Sequence, residues 1–203
     1  MMLASPAGRI GPNAITQMAA ALDSELGTGA AELLLRAVGL AAYLRAPPQS
    51  MVDEHEVIAL HEAVRERLPR ATAGCVTRDA GRRTADYLLS HRIPAVVQRL
   101  LRPLPAAVSS RVLLRAIARH AWTFAGSGHC TVRAGRPVVI TIADCPLCRG
   151  AVSPGPMCAY YAATFERLFS QLVHPRARVL ETACAASGAA ACRFEIDWRY
   201  ARL

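Results

Sequence analysis

"HCTVRAGRPVVITIADC", residues 129–145, is where the pattern of the chain changes. Apolar and polar residues alternate on both sides of "RAGRP", and period-two alternation around a glycine- and proline-bearing turn predicts a β-hairpin. Upstream, the first ~120 residues read as helices. "PNAITQMAAALDSELG" (12–27) opens on Pro-Asn and closes on glycine, which suits a helix start and stop. One helix is predicted from about Gly29 to Leu44, closed by "RAPPQ". "MVDEHEVIALHEAVRERL" (51–68) places acids early and arginines late, as the helix dipole favours. "RDAGRRTADYLLSHRIPAVVQRLLRPLP" (78–105) is helical with a break before Pro94. "AAVSSRVLLRAIARHAW" (106–122) sets Val112, Leu113, Ile117 and Ala121 near one stripe.

Downstream of the hairpin, "PMCAYYAATFERLFSQLV" (156–173) is an amphipathic helix. "RARVLETAC" and "AACRFEIDW" are two further strands joined by "AASGA". Hairpin, helix, hairpin describes an antiparallel sheet crossed by one helix. With the preceding helices, the fold class is α+β.

The chain has 203 residues, 53% of them hydrophobic, and a mean hydropathy of +0.22. A large core explains that bias, and so does a surface that meets lipid or a large apolar ligand. No run supplies the ~20 uncharged apolar residues that span a bilayer. The nearest, "AAELLLRAVGLAAYL" (30–44), is interrupted by Glu32 and Arg36. "MMLASPAGRIGPN" has no apolar core after a basic start, so a cytoplasmic location is expected rather than secretion.

The formal net charge is +9, and all 24 basic residues are arginine. Without lysine there is no P-loop lysine, no Schiff-base lysine and no pyridoxal-phosphate anchor. A GC-rich genome also produces such a bias. A positive surface suits anionic lipid, an acidic protein or an acidic small molecule. Nucleic acid fits least, because no basic run is interleaved with aromatics.

Seven cysteines, an odd number, argue against a disulfide framework in such a chain. Cys145, Cys148, Cys158, Cys184 and Cys192 crowd its last third. Thiolates bind zinc tightly and structural sites take four ligands. Two sets are available: Cys145 and Cys148 of "CPLC" with Cys184 and Cys192, or Cys158 with Glu181, Cys184 and Cys192. Cys184 and Cys192 flank a turn, so a hairpin brings their sulfurs together. Glu181 and Cys184 differ by an odd number, and a regular strand points them to opposite faces. They share a metal only if the strand bulges or ends between them. The plain alternative is that the cysteines pack as small apolar residues.

"GRIGPNAITQMAAAL", "AGRRTADYLLSHRIPAVVQRLLRPLP", "RHAWTFAGSG" and "CPLCRG…CAYYAATFERLF…ETACAASGAAACRFE" resemble the bacteriochlorophyll 4-vinyl reductase family of purple phototrophic bacteria. The likeness covers most of the chain. Residues 115–203 resemble the 4-vinyl reductase domain, shared with phenol-sensor domains of transcription activators and, more distantly, with subunits of vesicle-tethering complexes. Residues 1–114 then form a helical region packed on that domain. The resemblance implies an α+β fold, an apolar ligand pocket and a homodimer. It also implies a structural zinc site of the form Cys, Glu-x-x-Cys, Cys, matched here by Cys158, Glu181, Cys184 and Cys192. Three thiolates and a carboxylate leave no open position for a catalytic water.

The family name implies reduction of a vinyl group, which needs a cofactor to supply electrons. "GSG" (126–128) begins a G-x-G, but Thr131 breaks the dinucleotide fingerprint. A tetrapyrrole carrier asks for less: an apolar slot, arginines for propionates, and a histidine for a central magnesium. It would present a porphyrin such as protoporphyrin IX to pathway enzymes, magnesium chelatase first among them, with peripheral membrane contact. Candidate ligand residues are Arg78, Arg82, Arg83, His120, Trp122 and Phe124. The plain readings are a solvated arginine face, a histidine closing a helix and two core aromatics.

Overall fold

The computed structural model describes residues 8–199; Met1 to Ala7, part of the segment read against a leader peptide, lie outside them. In chain order the elements are β1 (Arg9–Ile10), α1 (Asn13–Leu26), α2 (Ala30–Ala37), α3 (Ala42–Arg45), β2 (Val52–Asp53), α4 (Glu54–Arg67), α5 (Arg70–His91), α6 (Ala95–Leu101) and α7 (Ala106–Arg119). There follow β3 (His129–Arg133), β4 (Val138–Ala143), α8 (Ala159–Leu172), β5 (Arg178–Ala183) and β6 (Ala191–Asp197). The fold is α+β, helices first and then a four-stranded antiparallel sheet.

The two hairpins join through their inner strands, giving the order β3-β4-β6-β5. Ile142 of β4 pairs with Cys192 of β6 and Ala143 with Ala191. One face of the sheet, carrying Ile140, Ile142, Phe194 and Ile196, is buried under α8. α8 is itself sandwiched, because α5 covers its other side. Gly81 makes that contact close: a Cβ there would stand 2.2 Å from the carbonyl oxygen of Tyr160. Thr164 Oγ1 donates to the Gly81 carbonyl at 3.0 Å, and the Thr84 and Tyr160 hydroxyls meet at 2.7 Å. The buried core is continuous from α1 through α5 and α8 to β6.

Several predicted elements differ in extent. The helix expected over 29–44 is broken into α2 and α3 at Gly39, whose φ of +77° a glycine adopts without the steric cost of a side chain. α5 begins at Arg70, eight residues before the predicted start at Arg78. Gly74 and the β-branched Thr72, Val76 and Thr77 lower its helix propensity, and burial of Ala73, Val76 and Thr77 overrides that. On α7 the buried stripe is Ser109, Ser110, Leu113, Leu114 and Ile117, while Val112 is exposed. Val112 lies about 100° around the helix from Leu113 and so misses that stripe. The short β1–β2 pair has no period-two signal because each strand is two residues long. Among the described residues no helix is long and apolar enough to cross a membrane.

Candidate metal centre and ligand cleft

Five cysteines and one glutamate converge where the open ends of both hairpins meet the start of α8. The β4–β6 pairing sets the turn after β4, which carries Cys145 and Cys148, beside Cys192 at the start of β6. Cys158 precedes the first turn of α8, and Cys184 closes β5. Glu181 reaches the same place because the register of β5 shifts between Glu181 and Ala183 and the strand then ends. The odd spacing of Glu181 and Cys184 is thereby reconciled with a shared face.

Two overlapping quartets result. The ligand atoms of Cys158, Glu181, Cys184 and Cys192 all lie within 4.8 Å of one another, as do those of Cys145, Cys148, Cys158 and Cys192. The "CPLC" pair thus groups with Cys158 and Cys192, not with Cys184 as its sequence alternative had it. Sulfur separations are 3.7 Å for Cys145–Cys158, 3.4 Å for Cys148–Cys192, 3.6 Å for Cys158–Cys192 and 3.8 Å for Cys184–Cys192. All six side chains are buried.

This is more than apolar packing of small thiols. Glu181 Oε2 accepts the Cys158 backbone N–H at 2.8 Å, but its Oε1 is buried with no hydrogen-bond partner. An unpaired carboxylate oxygen among sulfurs is costly unless a cation meets it. Burial pushes the Glu181 carboxyl up to about 8. A hydrogen bond with the Cys158 thiol pulls Cys184 down to about 6. Hydrogen bonding with Cys145 drives Cys148 down and Cys158 up, so the cluster sheds its protons stepwise. Thiolate-rich, buried and with one free carboxylate oxygen, the donor set fits zinc.

Beside the cluster runs a cleft of ≈ 570 Å³ between α4, α5 and the segment 147–160. Arg65, Arg70 and Arg78 line it, with His61 and Tyr160. Arg65 Nη1 donates to the Leu147 carbonyl at 2.7 Å, while Arg70 and Arg78 are exposed and form no ion pair among the described residues. His61 is 2% exposed, its ring edge-on to Tyr160, and its Nε2 has no partner. Burial, aided by the Arg65 charge, lowers His61 to about 3, so the ring is neutral.

The six ligand residues named from sequence fall at three places. Arg78 lines this cleft. Arg82 and Arg83 line a second, more polar hollow of ≈ 640 Å³, where Arg83 pairs with Asp79 at 2.5 Å and Arg167 with Asp86 at 2.7 Å. His120 closes α7, its Nδ1–H donating to the Ala116 carbonyl, and Trp122 is 62% exposed. Phe124 packs edge-on against Tyr161 and Phe165. Sequence reasoning missed His61, Arg65 and Arg70. The signal for His61 was its place among Val57, Leu60 and Val64, the buried face of α4.

The sheet half matches the family model of the 4-vinyl reductase domain over residues 138–197. The chain is 48% identical to the bacteriochlorophyll synthase 23 kDa chain of Cereibacter sphaeroides, over 94% of this chain and 91% of that one. It is 40% identical to the protein of the same name from Rhodobacter capsulatus, over 92% and 85%. It belongs to the family of the bacteriochlorophyll synthase 23 kDa chain. Among solved structures it is similar in fold to an H-NOX protein from S. oneidensis, with TM-score 0.55 and 12% identity over 94% of this chain and 100% of that one. A structure solved to probe heme distortion in the H-NOX family gives 0.54 and 12%, over 96% and 97%. The shared fold therefore takes in the helices as well as the sheet.

Proposed function

We propose that this chain binds a tetrapyrrole of bacteriochlorophyll biosynthesis in the cleft beside the cysteine cluster and carries it to pathway enzymes. Magnesium chelatase is the recipient that best suits a porphyrin cargo. The observation that carries this reading is the cleft itself: two unpaired arginines on its rim and a neutral, unpartnered imidazole in its wall. Arg70 and Arg78 suit the propionates of a porphyrin. His61 Nε2 suits a central metal, provided the cleft loosens enough to uncover it. The volume falls within the usual range for small-molecule sites. The name shared by the relatives supports the pathway, and the heme named for an H-NOX structure of the same fold supports the ligand class. Zinc held by Cys158, Glu181, Cys184 and Cys192 clamps α8 to the β5–β6 hairpin and fixes the cleft wall from behind.

The exposed surface of α6 and α7 supports peripheral contact with an anionic bilayer. Val96, Leu100, Leu104, Val108 and Val112 are exposed there, with Arg99, Arg102, Arg111, Arg115 and Arg119. From Tyr87 to Ala143 the chain has no acidic residue. Apolar side chains among uncompensated arginines match the chemistry of a lipid surface.

Titration of the purified chain with protoporphyrin IX tests the carrier. A saturable, red-shifted Soret band that weakens about tenfold in Arg70→Ala/Arg78→Ala supports it, since one charge-assisted contact contributes about 1.5–3 kcal/mol. Turnover of a divinyl substrate by the chain with a reductant would replace the carrier by the vinyl reductase. No Soret change at micromolar protein removes tetrapyrrole binding.

A further inference from the structure

We infer that the cysteine cluster holds two zinc ions, not one, bridged by the thiolates of Cys158 and Cys192. The second ion sits in the quartet Cys145, Cys148, Cys158 and Cys192. The inference rests on the reading that Cys158, Glu181, Cys184 and Cys192 hold the first.

The geometry argues it in three steps. Zn–S bonds of about 2.3 Å place neighbouring sulfurs of a tetrahedral site about 3.8 Å apart. The four closest sulfur separations, 3.4–3.8 Å, approach that edge length, and they occur in both quartets. Secondly, the six donors form two groups rather than one, and the groups share Cys158 and Cys192. The 3.6 Å between those two sulfurs is then the common edge of two tetrahedra. Thirdly, a single ion in the first quartet leaves Cys145 and Cys148 as buried thiols pressed against its ligands. Cys145 Sγ would touch the bound Cys158 thiolate, and Cys148 Sγ the bound Cys192 thiolate. A second cation turns both contacts into ligand edges.

The turn fits the role. Cys145 and Cys148 have the C-x-x-C spacing of a zinc half-site, and the Cys148 backbone N–H donates to the Cys145 carbonyl at 3.3 Å, closing a tight turn. Each quartet is closed, with four protein donors and no place for water. As two Zn²⁺ enter, the donors still protonated release their protons to solvent. No oxidant or further reactant is required. The negative charge left on five thiolates and one carboxylate is faced by Arg65, which leans on the Leu147 carbonyl within the Cys145–Cys148 turn's own loop.

Metal content of the full chain, purified in reductant and dialysed against trace zinc, tests the pair of ions. About two zinc per chain is expected, falling to about one in Cys145→Ser/Cys148→Ser with the fold retained by circular dichroism. Cadmium-113 exchange should give two resonances, the all-sulfur one at lower field, and only the other in the double variant. One zinc per wild-type chain, kept in the double variant, overturns the second ion and leaves the first. One zinc lost in the double variant but kept in Glu181→Ala overturns the pair and moves the single site. Folded, reduced protein without zinc overturns both. Porphyrin binding is read separately, by the Soret band, and its failure touches neither metal count.

Discussion

Glu54, with 3% of its side chain exposed, holds the Arg149 guanidinium at 2.9 Å and thereby ties the start of α4 to the loop that follows "CPLC". Ser127 completes the contact, its backbone N–H and hydroxyl donating to the two carboxylate oxygens at 2.7 and 2.6 Å. Arg149 also donates to the Asp144 carbonyl at 2.7 Å. Burial works against the charge on Glu54, but hydrogen bonds from Ser127 and Arg149 outweigh it, and its carboxyl titrates below the ordinary range. Removing the carboxylate strands a partly buried guanidinium and two donors. Glu54→Ala is therefore expected to lose about 3 kcal/mol in urea unfolding. Arg149→Ala should lose as much or more, because Glu54 is the more buried partner. Equal stability of wild type and Glu54→Ala would show that the tie does not hold the loop.

Metal removal should act on the fold rather than on chemistry. Binding free energy of a structural ion is folding free energy. Excess chelator is expected to lower the melting temperature by about 10 °C or more, on the order of several kcal/mol for a domain of this length. Cys184→Ser should melt near the chelated wild type and respond little to chelator. A wild type indifferent to chelator, with zinc bound, would deny the ion its clamping role.

How much of this centre was legible beforehand depends on how local its geometry is. Cys184 and Cys192 flank one turn, so their proximity could be read from the hairpin. The bulge that turns Glu181 toward them could be stated only as a condition, because it depends on how β5 pairs with β6. Cys158 entered through family resemblance, since nothing local says where α8 begins relative to the sheet. That Cys145 and Cys148 belong with Cys158 follows from β4 pairing with β6, a non-local choice no spacing encodes. The cleft was less visible still. Arg70 lies in a helical turn that glycine and β-branched residues disguise, and His61 counts as one more position on an apolar face. The sheet and the long helices were plain because their periods repeat over many residues.

His61 should give the protein a specific acid sensitivity. A histidine in the unfolded chain takes its proton near 6.5, whereas burial holds folded His61 at about 3. Between those values the unfolded chain binds the extra proton, so stability falls with falling pH. The contribution is complete above 6.5 and declines through that window with a slope approaching about 1.4 kcal/mol per pH unit. The stability difference between pH 7 and pH 5 is expected to shrink by about 2 kcal/mol in His61→Phe. An unchanged difference would mean that His61 is protonated in the folded protein. Acid release of zinc is common to both proteins and cancels in the comparison.

The last expectation concerns α6 and α7. A surface that joins exposed valines and leucines to five arginines should bind anionic vesicles and ignore neutral ones, and added salt should weaken it, since screening acts on exposed charges. Each arginine near an anionic surface contributes about 1 kcal/mol. Replacing Arg111 and Arg115 by Gln should therefore lower partitioning onto phosphatidylserine vesicles about tenfold or more. Leu100→Ser/Val108→Ser should weaken it at any ionic strength, because that loss is apolar area and is not screened. Sedimentation with vesicles reads both effects. Equal binding to neutral and anionic vesicles, or none to either, would leave the exposed apolar side chains of α6 and α7 to a protein partner. A salt-sensitive loss in the arginine variant together with a salt-insensitive loss in the apolar one is the signature of a lipid surface. An acidic protein partner would respond to the arginines without any vesicle present.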